Sequence, residues 1–576
     1  MTVLKDRYCV LLLVFITLGI YYPVIFAPFN SVDDVKMVTL LLNTDQLSLK
    51  ELFLPGGSGY YYRPLLALSL WMDKGLWGLQ ESFMHLENIV LHAVNVVLVF
   101  CLALRIFRRE GVNDNLFPLC AALFFALHPL NTEAVNWISG RTDLMAGCFI
   151  LVALLALYAA LERDSIVWGA LSACSLLVSC LAKETAIFFY PAALFIVFCY
   201  DARDVPLMSR VRKHGILSGL ITAAAVLYFF IRHLAFARED SGIRLAAKSL
   251  VGAEADHLHT VKVIFKVSGF YAKKLFFPWP LNFGIIQVSN YYILAGIALI
   301  IFTLYLLWKR DAAAALFMTT ICIGSSALIV AVSRMAWTPI SERYMYMPSA
   351  PFAIVMVLVL ANAAQKRRLG SVAVPAMLLG CTVIAFTTVA RNIVWQDNLT
   401  LFADTVRKSP DFAPARNDLA IAMLERGRTD EAHQIFNANA VGASVNNYQI
   451  AGLNKATVLV AGKDLDGARK LLLELLRDPG KQELEILKKL VSVNEKRATL
   501  AKEEGSRAAI RLETVDFLNK TAAFTGDPFY LYRIGQVYLA MGKKSEARDY
   551  FARAFRNAPD GAHYKEPAKR LADRLQ

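Results

Sequence analysis

Residues 8–34 read YCVLLLVFITLGIYYPVIFAPFNSVDD, and this stretch joins a long apolar run to two adjacent carboxylates, Asp33 and Asp34. The apolar part is long enough to cross a hydrocarbon core of about 30 Å. It lacks a small-x-small cleavage site and is followed by many more apolar runs, so we predict a retained membrane span rather than a signal peptide. The stretch therefore predicts a membrane protein whose first span ends beside an acidic pair.

The composition extends this prediction to the rest of the chain. Of the 576 residues, 56% are hydrophobic, and the mean hydropathy is +0.45. Eleven apolar runs approach spanning length, and they lie at about 8–28, 86–107, 116–130, 144–161, 166–182, 185–200, 215–233, 291–308, 312–332, 350–364 and 371–390. We therefore predict an all-α polytopic membrane protein with about eleven transmembrane helices. The net charge of +14 does not indicate nucleic-acid binding, because much of the Lys and Arg lies in short loops between these runs.

The basic residues also predict the side of the membrane on which each loop lies. Their clusters fall on one side if the N-terminus is cytoplasmic and there are eleven spans. Residues 29–85, about 234–290 and everything after Arg391 then lie on the opposite, outer side. Residues 261–277 are apolar but contain four lysines, so we interpret them as an interfacial helix whose lysines snorkel toward water.

The C-terminal part, from about Trp395, is charged and amphipathic and contains a repeat. Small and aromatic residues recur in its last copy, at Ile534, Gly535, Tyr538, Gly542, Ala547, Phe551, Ala554 and Pro559. This spacing is typical of a tetratricopeptide repeat. Weaker copies lie at 419–436 and 456–472, and residues 482–521 are helical but off the pattern. We predict a membrane domain at 1–394 and an α-solenoid of tetratricopeptide repeats at 395–576.

Polar residues that could carry chemistry gather on the predicted outer side. Asp33 and Asp34 could act as a general base or a metal ligand, or could cap a helix in a solvated turn. On the second span, the residues Glu81, His85, Asn88, His92 and Asn95 share one helix face. Inside the hydrocarbon such groups must face protein or a cavity, either for interhelical hydrogen bonds or, at the outer end, for a site reached by His85.

Cations on the outer side run against the positive-inside bias and so need partners. The candidates are Arg63, Arg141, Lys183 and Arg343. They could bind a phosphate at the membrane surface, with Arg as a fork and Lys as a point charge. The alternative is salt bridges to Glu133, Asp143, Glu184 and Glu342. The motif at 256–259, Asp-His-Leu-His, is a weak metal signal, so we predict no defined metal site, although a divalent cation is compatible with the acidic pair.

These motifs, in this order and on this side, resemble the GT-C superfamily of polyprenyl-phosphate-sugar-dependent glycosyltransferases. They are most similar to the transmembrane-and-tetratricopeptide O-mannosyltransferases and their bacterial relatives. The resemblance rests on residues 33–34, 62–65, 85–95, 128–143, 183–184, 277–281 and 342–346 and on the C-terminal repeats. It implies a GT-C fold and an inverting transfer of a sugar, such as mannose, from a polyprenyl-phosphate donor to a Ser or Thr hydroxyl of an extracytoplasmic protein.

The resemblance also implies roles for individual residues. Asp33, with Asp34 close behind, would be the general base. The donor phosphate would be bound by Arg63, Arg141, Lys183 and Arg343, and the site would also be lined by His85, His128, Glu133 and Tyr344. No cofactor is certain, and the lipid-linked sugar is a substrate. The repeats would dock the acceptor protein or recruit a partner.

Other interpretations stay open at this point. The chain could be a membrane-anchored tetratricopeptide scaffold without chemistry, or a GT-C enzyme that acts on a lipid or polysaccharide acceptor. A transporter would need internal symmetry or broken helices, and neither is clear in the sequence. We expect a bacterial inner membrane, with the repeats in the periplasm.

Overall fold

Helices form most of the structure. The computed structural model describes residues 6–42, 48–55, 61–200, 207–236, 242–244, 247, 257–309, 338, 340–367, 369–428, 430–432, 434–435, 452–453, 455–457, 459–460, 463–479, 482–559, 562 and 564–575. Within these ranges the chain contains no β-strand and a single isolated antiparallel bridge, between Ile285 and Ile340. The all-α prediction is therefore confirmed. Two compact units are present, Met1–Phe412 and Ala413–Gln576.

The first unit contains sixteen described α-helices. They are α1 (Asp6–Tyr21), α2 (Asp34–Leu42), α3 (Leu49–Phe53), α4 (Pro64–Trp77), α5 (Glu81–Arg109), α6 (Leu116–Leu127), α7 (Thr132–Asn136), α8 (Arg141–Arg163), α9 (Ile166–Ala182), α10 (Phe189–Cys199), α11 (Leu207–Ala235), α12 (His257–Phe276), α13 (Tyr292–Lys309), α14 (Tyr346–Lys366), α15 (Gly370–Trp395) and α16 (Asn398–Lys408). Short 3-10 helices lie at Tyr22–Phe26, Pro129–Asn131, Ile138–Gly140, Glu184–Phe188 and Glu342–Met345.

Several of these helices have the length and composition of membrane spans. Among the described residues, six helical segments qualify by these criteria: Asp6–Phe26, Glu81–Arg109, Ile138–Arg163, Lys213–Ala235, Glu342–Lys366 and Ser371–Trp395. Shorter apolar helices lie at Leu116–Leu127, Ile166–Ala182, Glu184–Cys199 and Tyr292–Phe302. Ten of the eleven predicted spans thus coincide with a helix, and the remaining one, at about 312–332, lies outside the described residues. The chain is an all-α, multi-pass membrane protein.

The polar face of α5 is used to join helices inside the membrane unit. His92 Nδ1 and Asn95 Nδ2 both lie 2.9 Å from the hydroxyl oxygen of Tyr346, at the start of α14. Asn95 Nδ2 also donates to the Leu144 carbonyl of α8 at 2.9 Å. Polar groups in hydrocarbon are costly unless they pair. At these positions the structure therefore supports the interhelical alternative.

Helix α12 contains the lysines of the predicted interfacial segment, and one of them behaves differently from the prediction. Lys262 is exposed. Lys274, however, is buried and donates to Glu342 Oε1 at 2.7 Å and to the Pro278 carbonyl at 3.0 Å. The snorkelling prediction is wrong for Lys274, because a buried carboxylate from a distant turn neutralises its charge. How α12 lies relative to the bilayer stays a prediction.

The second unit contains the repeats. Its described helices are α17 (Ala413–Glu425), α18 (Leu465–Leu475), α19 (Glu483–Leu500), α20 (Glu504–Thr525), α21 (Phe529–Ala540), α22 (Lys544–Asn557) and α23 (Lys565–Arg574). In the last repeat, a Cβ added at Gly535 would lie 2.7 Å from the Phe551 ring, so glycine allows α21 to pack closely against α22. Part of the predicted copy at 419–436 lies outside the described residues, and the predicted domain boundary after residue 394 stays a prediction.

Candidate functional site

The turn between α7 and α8 organises the candidate site. It contains the 3-10 helix Ile138–Gly140. A Cβ added at Gly140 would lie 2.4 Å from the carbonyl oxygen of Ala134, so only glycine lets the chain turn this closely. The backbone N–H and the hydroxyl of Ser139 both donate to Asp34 Oδ1, at 3.0 and 2.5 Å. The turn therefore holds a carboxylate of the loop after α1 in place.

The two adjacent carboxylates of that loop have different surroundings. Asp34 is fully buried, and its Oδ2 accepts from the Asn30 backbone N–H at 3.1 Å. Burial raises the pKa of Asp34 to about 6, although the hydrogen bonds from Ser139 and Asn30 act in the opposite direction. Asp33 is exposed. One carboxylate thus anchors the loop, while the other faces solvent.

Three of the four predicted cations form a group of ion pairs near this turn. The pairs are Arg63–Glu184, Lys183–Asp143 and Arg343–Glu133, with N–O distances of 2.6, 2.5 and 2.6 Å. We call these six residues the paired cluster. Arg63 is bidentate, with a second contact from Nε to Glu184 Oε2 at 2.9 Å. The salt-bridge alternative thus describes the observed structure, and each cation is oriented by a carboxylate.

An aromatic ring lies between two of the three pairs. Lys183 Nζ lies 5.3 Å and Arg343 Cζ 5.1 Å from the centre of the Tyr344 ring. Arg343 Cζ also lies 4.5 Å from the centre of the Trp137 ring, which belongs to the α7–α8 turn. These distances are within the range of cation–π attraction. Tyr344 therefore joins two of the pairs, and Trp137 connects them to the turn that holds Asp34.

Tyr61 extends the cluster toward the first loop. Arg63 Cζ lies 4.3 Å from the centre of its ring. Burial raises the pKa of the Tyr61 phenol, the positive charges of Arg63 and Arg343 lower it, and the negative charges of Glu184 and Asp33 raise it. Asp33 is therefore within electrostatic reach of the same phenol as two of the cations.

The cations of the paired cluster differ in how much of each side chain is exposed. Arg63 is 24% exposed and Arg343 14%, whereas Lys183 is only 4% exposed. Burial lowers the pKa of Lys183, and the charges of Arg63 and Arg343 act in the same direction, against the effect of Asp143. The guanidinium groups of Arg63 and Arg343 thus keep exposed atoms, whereas the positive charge of Lys183 is buried.

Arg141 is not placed with these three cations. Its side chain is 1% exposed, and Nη1 lies 2.6 Å from Asp73 Oδ2 and 3.0 Å from Glu87 Oε2. Nε donates to Asn88 Oδ1 at 3.0 Å, and Nη2 donates to the Met84 carbonyl at 3.0 Å. We call Arg141, Asp73, Glu87 and Asn88 the Arg141 cluster. Every nitrogen of this guanidinium is occupied by the protein, so the predicted contact with a phosphate has no exposed face to use.

The two predicted site histidines are buried. His128 Nε2 lies 3.1 Å from the Leu275 carbonyl of α12, and its Nδ1 accepts from the Leu130 N–H at 3.3 Å. Both ring nitrogens of His128 are therefore used to pack the turn after α6. His85 lies in the first turns of α5 and is 2% exposed. It directly follows Met84, whose carbonyl belongs to the surroundings of Arg141.

Sequence reasoning missed three residues that contact the predicted site residues and hold them in place. Ser139, Trp137 and Asp73 contact Asp34, Arg343 and Arg141, respectively. Glycine at position 140, directly after Ser139, is the one local signal of a tight turn. Among the described residues, no group of three or more His, Cys, Asp or Glu side chains could hold a metal ion. Asp256 of the weak metal motif lies outside those residues.

Comparison with known proteins gives matches to both parts of the chain. Residues 64–229 match a family model described as dolichyl-phosphate-mannose-protein mannosyltransferase, and residues 528–560 match a tetratricopeptide repeat model. The chain is 25% identical to the mouse protein O-mannosyl-transferase TMTC3 over 545 residues, which is 86% of this chain and 56% of the relative.

Shorter alignments give higher identity. The human protein O-mannosyl-transferase TMTC3 is 36% identical over 129 residues, 22% of this chain and 13% of the relative. The Drosophila melanogaster protein O-mannosyl-transferase Tmtc1 is 37% identical over 134 residues, 23% of this chain and 15% of the relative. In the match to mouse TMTC3 the chain thus spans little more than half of the relative. These matches confirm the resemblance to the transmembrane-and-tetratricopeptide O-mannosyltransferases.

Proposed function

We propose that this chain is an inverting glycosyltransferase that moves a hexose, such as mannose, from a polyprenyl-phosphate donor to a Ser or Thr hydroxyl of an extracytoplasmic protein. The similarity to protein O-mannosyltransferases supports the reaction class. The observation that carries the proposal is the position of the exposed Asp33, which lies beside the buried, Ser139-bound Asp34 and within electrostatic reach of Tyr61, the ring that Arg63 contacts.

In this proposal Asp33 and Asp34 have different roles. A general base must come within hydrogen-bond reach of the acceptor hydroxyl, and only the exposed Asp33 can do so without moving the loop. Asp34 is a positioning residue, because both of its oxygens already accept hydrogen bonds from the protein. Asp33 removes the hydroxyl proton as the acceptor oxygen attacks the anomeric carbon and the bond to the lipid phosphate breaks.

The paired cluster stabilises the leaving phosphate in this reaction. Negative charge develops on the phosphate in the transition state, and preorganised cations lower the barrier most when they need not reorient. Arg63 and Arg343 are already oriented by Glu184 and Glu133, and both keep exposed atoms. Lys183 is buried and contributes a further positive charge. Arg141 is left out of this group, since the protein saturates its guanidinium.

The test uses purified protein in lipid nanodiscs with polyprenyl-phosphate mannose and a Ser/Thr-containing acceptor peptide. We expect Asp33→Asn to lower the transfer rate by about 10²–10⁴-fold, because the general base is removed. Asp164→Asn is the matched control, since this exposed residue ends α8 at its far end from the turn that holds Asp34. Transfer at the wild-type rate by Asp33→Asn would refute the assigned role.

Intact-mass profiling identifies the acceptor. We compare outer-side proteins from cells that carry the wild type, a deletion or Asp33→Asn at matched expression. Loss of one hexose mass from the same protein in both mutants supports transfer to that protein. Loss of one hexose mass from extracted lipids or polysaccharides, with the protein masses unchanged, would show that the acceptor is a lipid or polysaccharide and not a protein.

We also propose a bacterial inner-membrane location, with the N-terminus cytoplasmic and the repeats in the periplasm, where they dock the acceptor protein. The basic clusters between the predicted spans support this orientation. A compartment-sensitive reporter fused after residue 576 tests it, with expected activity only on the outer side. A cytoplasmic signal from that fusion would overturn the topology.

A further inference from the structure

The second unit contains a cavity that the repeat pattern does not explain. It has a volume of about 460 Å³ and lies between helices α19, α20 and α21. Two of these helices, α19 and α20, form the part of the unit that departs from the tetratricopeptide spacing. Arg507 and Arg511 of α20 and Arg533 of α21 line the cavity, together with one carboxylate, Glu495 of α19. A second carboxylate outside the lining, Glu504, lies 2.7 Å from Arg507 Nη1 and 3.9 Å from Arg511 Nη1, so three positive charges are set against two negative ones.

The lining residues recur at helical spacing, so the cavity is built by helix faces. On α20, Arg507, Arg511 and Thr514 are four and three positions apart, which places them on one face. On α21, Arg533 and Val537 share a face in the same way. The positive charge thus sits on helices that pack against each other within one compact unit, and not on a mobile tail.

The three arginines are oriented by the protein but remain accessible. Arg511 Nη1 donates to the Ala540 carbonyl at 2.7 Å, and Arg507 Nη1 donates to Glu504 Oε2 at 2.7 Å. Arg533 pairs with Glu495. The three arginine side chains are between 25% and 31% exposed. A guanidinium has five N–H donors, so these contacts leave donors for a ligand.

We propose that this cavity binds a carboxylate-rich segment of a polypeptide. Oriented, partly desolvated arginines are suited to carboxylates, which they bind through two parallel hydrogen bonds. Apolar Ala498 and Val537 and the polar Thr499 and Gln536 also line the cavity, so a ligand there can make apolar and polar contacts besides those to the arginines. The lining includes no aromatic ring on which a nucleic-acid base would stack.

The occupant follows from the position of the cavity in a repeat unit. Arrays of helical repeats present extended surfaces to other polypeptides. A segment of the acceptor protein that is rich in Asp or Glu would therefore be held by this unit while a neighbouring hydroxyl reacts. This last step rests on the proposed function, whereas the binding of an acidic segment does not.

The experiment measures binding alone. The full chain is reconstituted in nanodiscs of phosphatidylcholine, and a fluorescein-labelled hexaglutamate peptide with an amidated C-terminus is the probe. We expect saturable binding by fluorescence anisotropy that weakens as salt is added. The double variant R507Q/R511Q should lower the affinity by about tenfold for each arginine removed, since each loses a charge-assisted hydrogen bond.

A matched variant separates the cavity from general surface charge. Arg553→Gln removes an arginine from α22 whose side chain is 44% exposed and lies outside the cavity lining, so it should leave the affinity unchanged. Arg533→Gln gives an independent test if the double variant fails to fold. Equal losses in Arg553→Gln and the cavity variants, no binding of hexaglutamate, or equal binding of hexalysine would each overturn the proposal.

The outcome is independent of catalysis. The measurement contains no sugar donor, and Asp33→Asn should bind hexaglutamate like the wild type. If hexaglutamate binding depends on the three arginines but sugar transfer fails, the proposed function is refuted and the acidic-segment site is supported. If transfer is normal but hexaglutamate does not bind, the proposed function is supported and the acidic-segment site is refuted.

Discussion

Two groups of ion pairs lie near the α7–α8 turn, and they differ in how much of each guanidinium remains exposed once its partners are counted. In the Arg141 cluster, four acceptors occupy all three nitrogens of a side chain that is 1% exposed. In the paired cluster, Arg63 and Arg343 each face one carboxylate and keep exposed atoms. Both groups pair arginine with carboxylates, but only in the second group do guanidinium atoms remain exposed to meet a ligand.

The difference shows that a cation beside a membrane surface can serve two purposes. A saturated guanidinium joins helices, because removing it leaves several buried acceptors without a donor. A guanidinium with one carboxylate partner is oriented but still available, so its loss should affect binding more than folding. This comparison leads to three tests, each of which changes one side of it.

The largest effect is expected for Arg141→Gln. This change leaves the buried carboxylate of Asp73 without its cation, and breaking such a pair costs about 3–5 kcal/mol. We expect a strongly lowered thermal midpoint, and a lower yield of monodisperse protein, in detergent. Arg108→Gln is the control, because its pair with Asp6 is half-exposed and is worth about 0–1 kcal/mol. Equal midpoints for both variants would remove the distinction between the two clusters.

A smaller effect on stability, but a clear one on activity, is expected for Arg343→Gln. Glu133 keeps the backbone N–H groups of residues 342 and 343 at 2.9 and 3.2 Å, so it is not left without donors. If Arg343 stabilises the leaving phosphate, the transfer rate should fall by about 10²-fold. Arg105→Gln, in the Arg105–Glu162 pair, is the matched control. An unchanged rate for Arg343→Gln would leave the paired cluster with a packing role only.

The smallest effect concerns Asp34 and depends on pH. Its folded-state pKa is raised to about 6 by burial, so its ionisation opposes folding as the pH rises from about 4 to 6. Asp34→Asn removes that penalty and should therefore gain about 2 kcal/mol relative to the wild type between pH 4.5 and pH 7.5. Thermal midpoints of both proteins at the two pH values measure this difference, in which all shared groups cancel. A difference that is constant with pH would mean that Asp34 is not a buried ionisable anchor.

The sequence predicted the helices of this molecule better than it predicted which charged residues are enclosed and which stay exposed. Apolar run lengths and small-residue spacing are local patterns, and they predicted ten helices at spanning positions and the last repeat. The clusters depend on contacts between distant residues. Ser139 is 105 positions from Asp34, and Arg343 is 210 positions from Glu133.

No local pattern indicates which of two adjacent aspartates turns inward or which of four cations is enclosed. Asp33 and Asp34 have the same side chain, and it is Asp34 that the hydrogen bonds from Ser139 and Asn30 hold inside. For Arg141, the deciding partners are Asp73 and Asn88, which belong to two other helices. A regular sequence pattern predicts helices, whereas the surroundings of a charge are set only when those helices pack.

The hydrogen bonds of Tyr346 have a consequence for the lipids around the protein. Its hydroxyl is held by His92 and Asn95 of α5, and Arg343 lies three residues before it. Arg343 is thus held at one level along the helix bundle, and it cannot move along the membrane normal with the lipid headgroups. The level at which a donor phosphate sits, however, changes with the thickness of the bilayer. If the proposed lipid-phosphate donor is used, short-chain and long-chain phospholipids should therefore give different Michaelis constants for it, because the bilayer thickness sets how far its phosphate lies from Arg343.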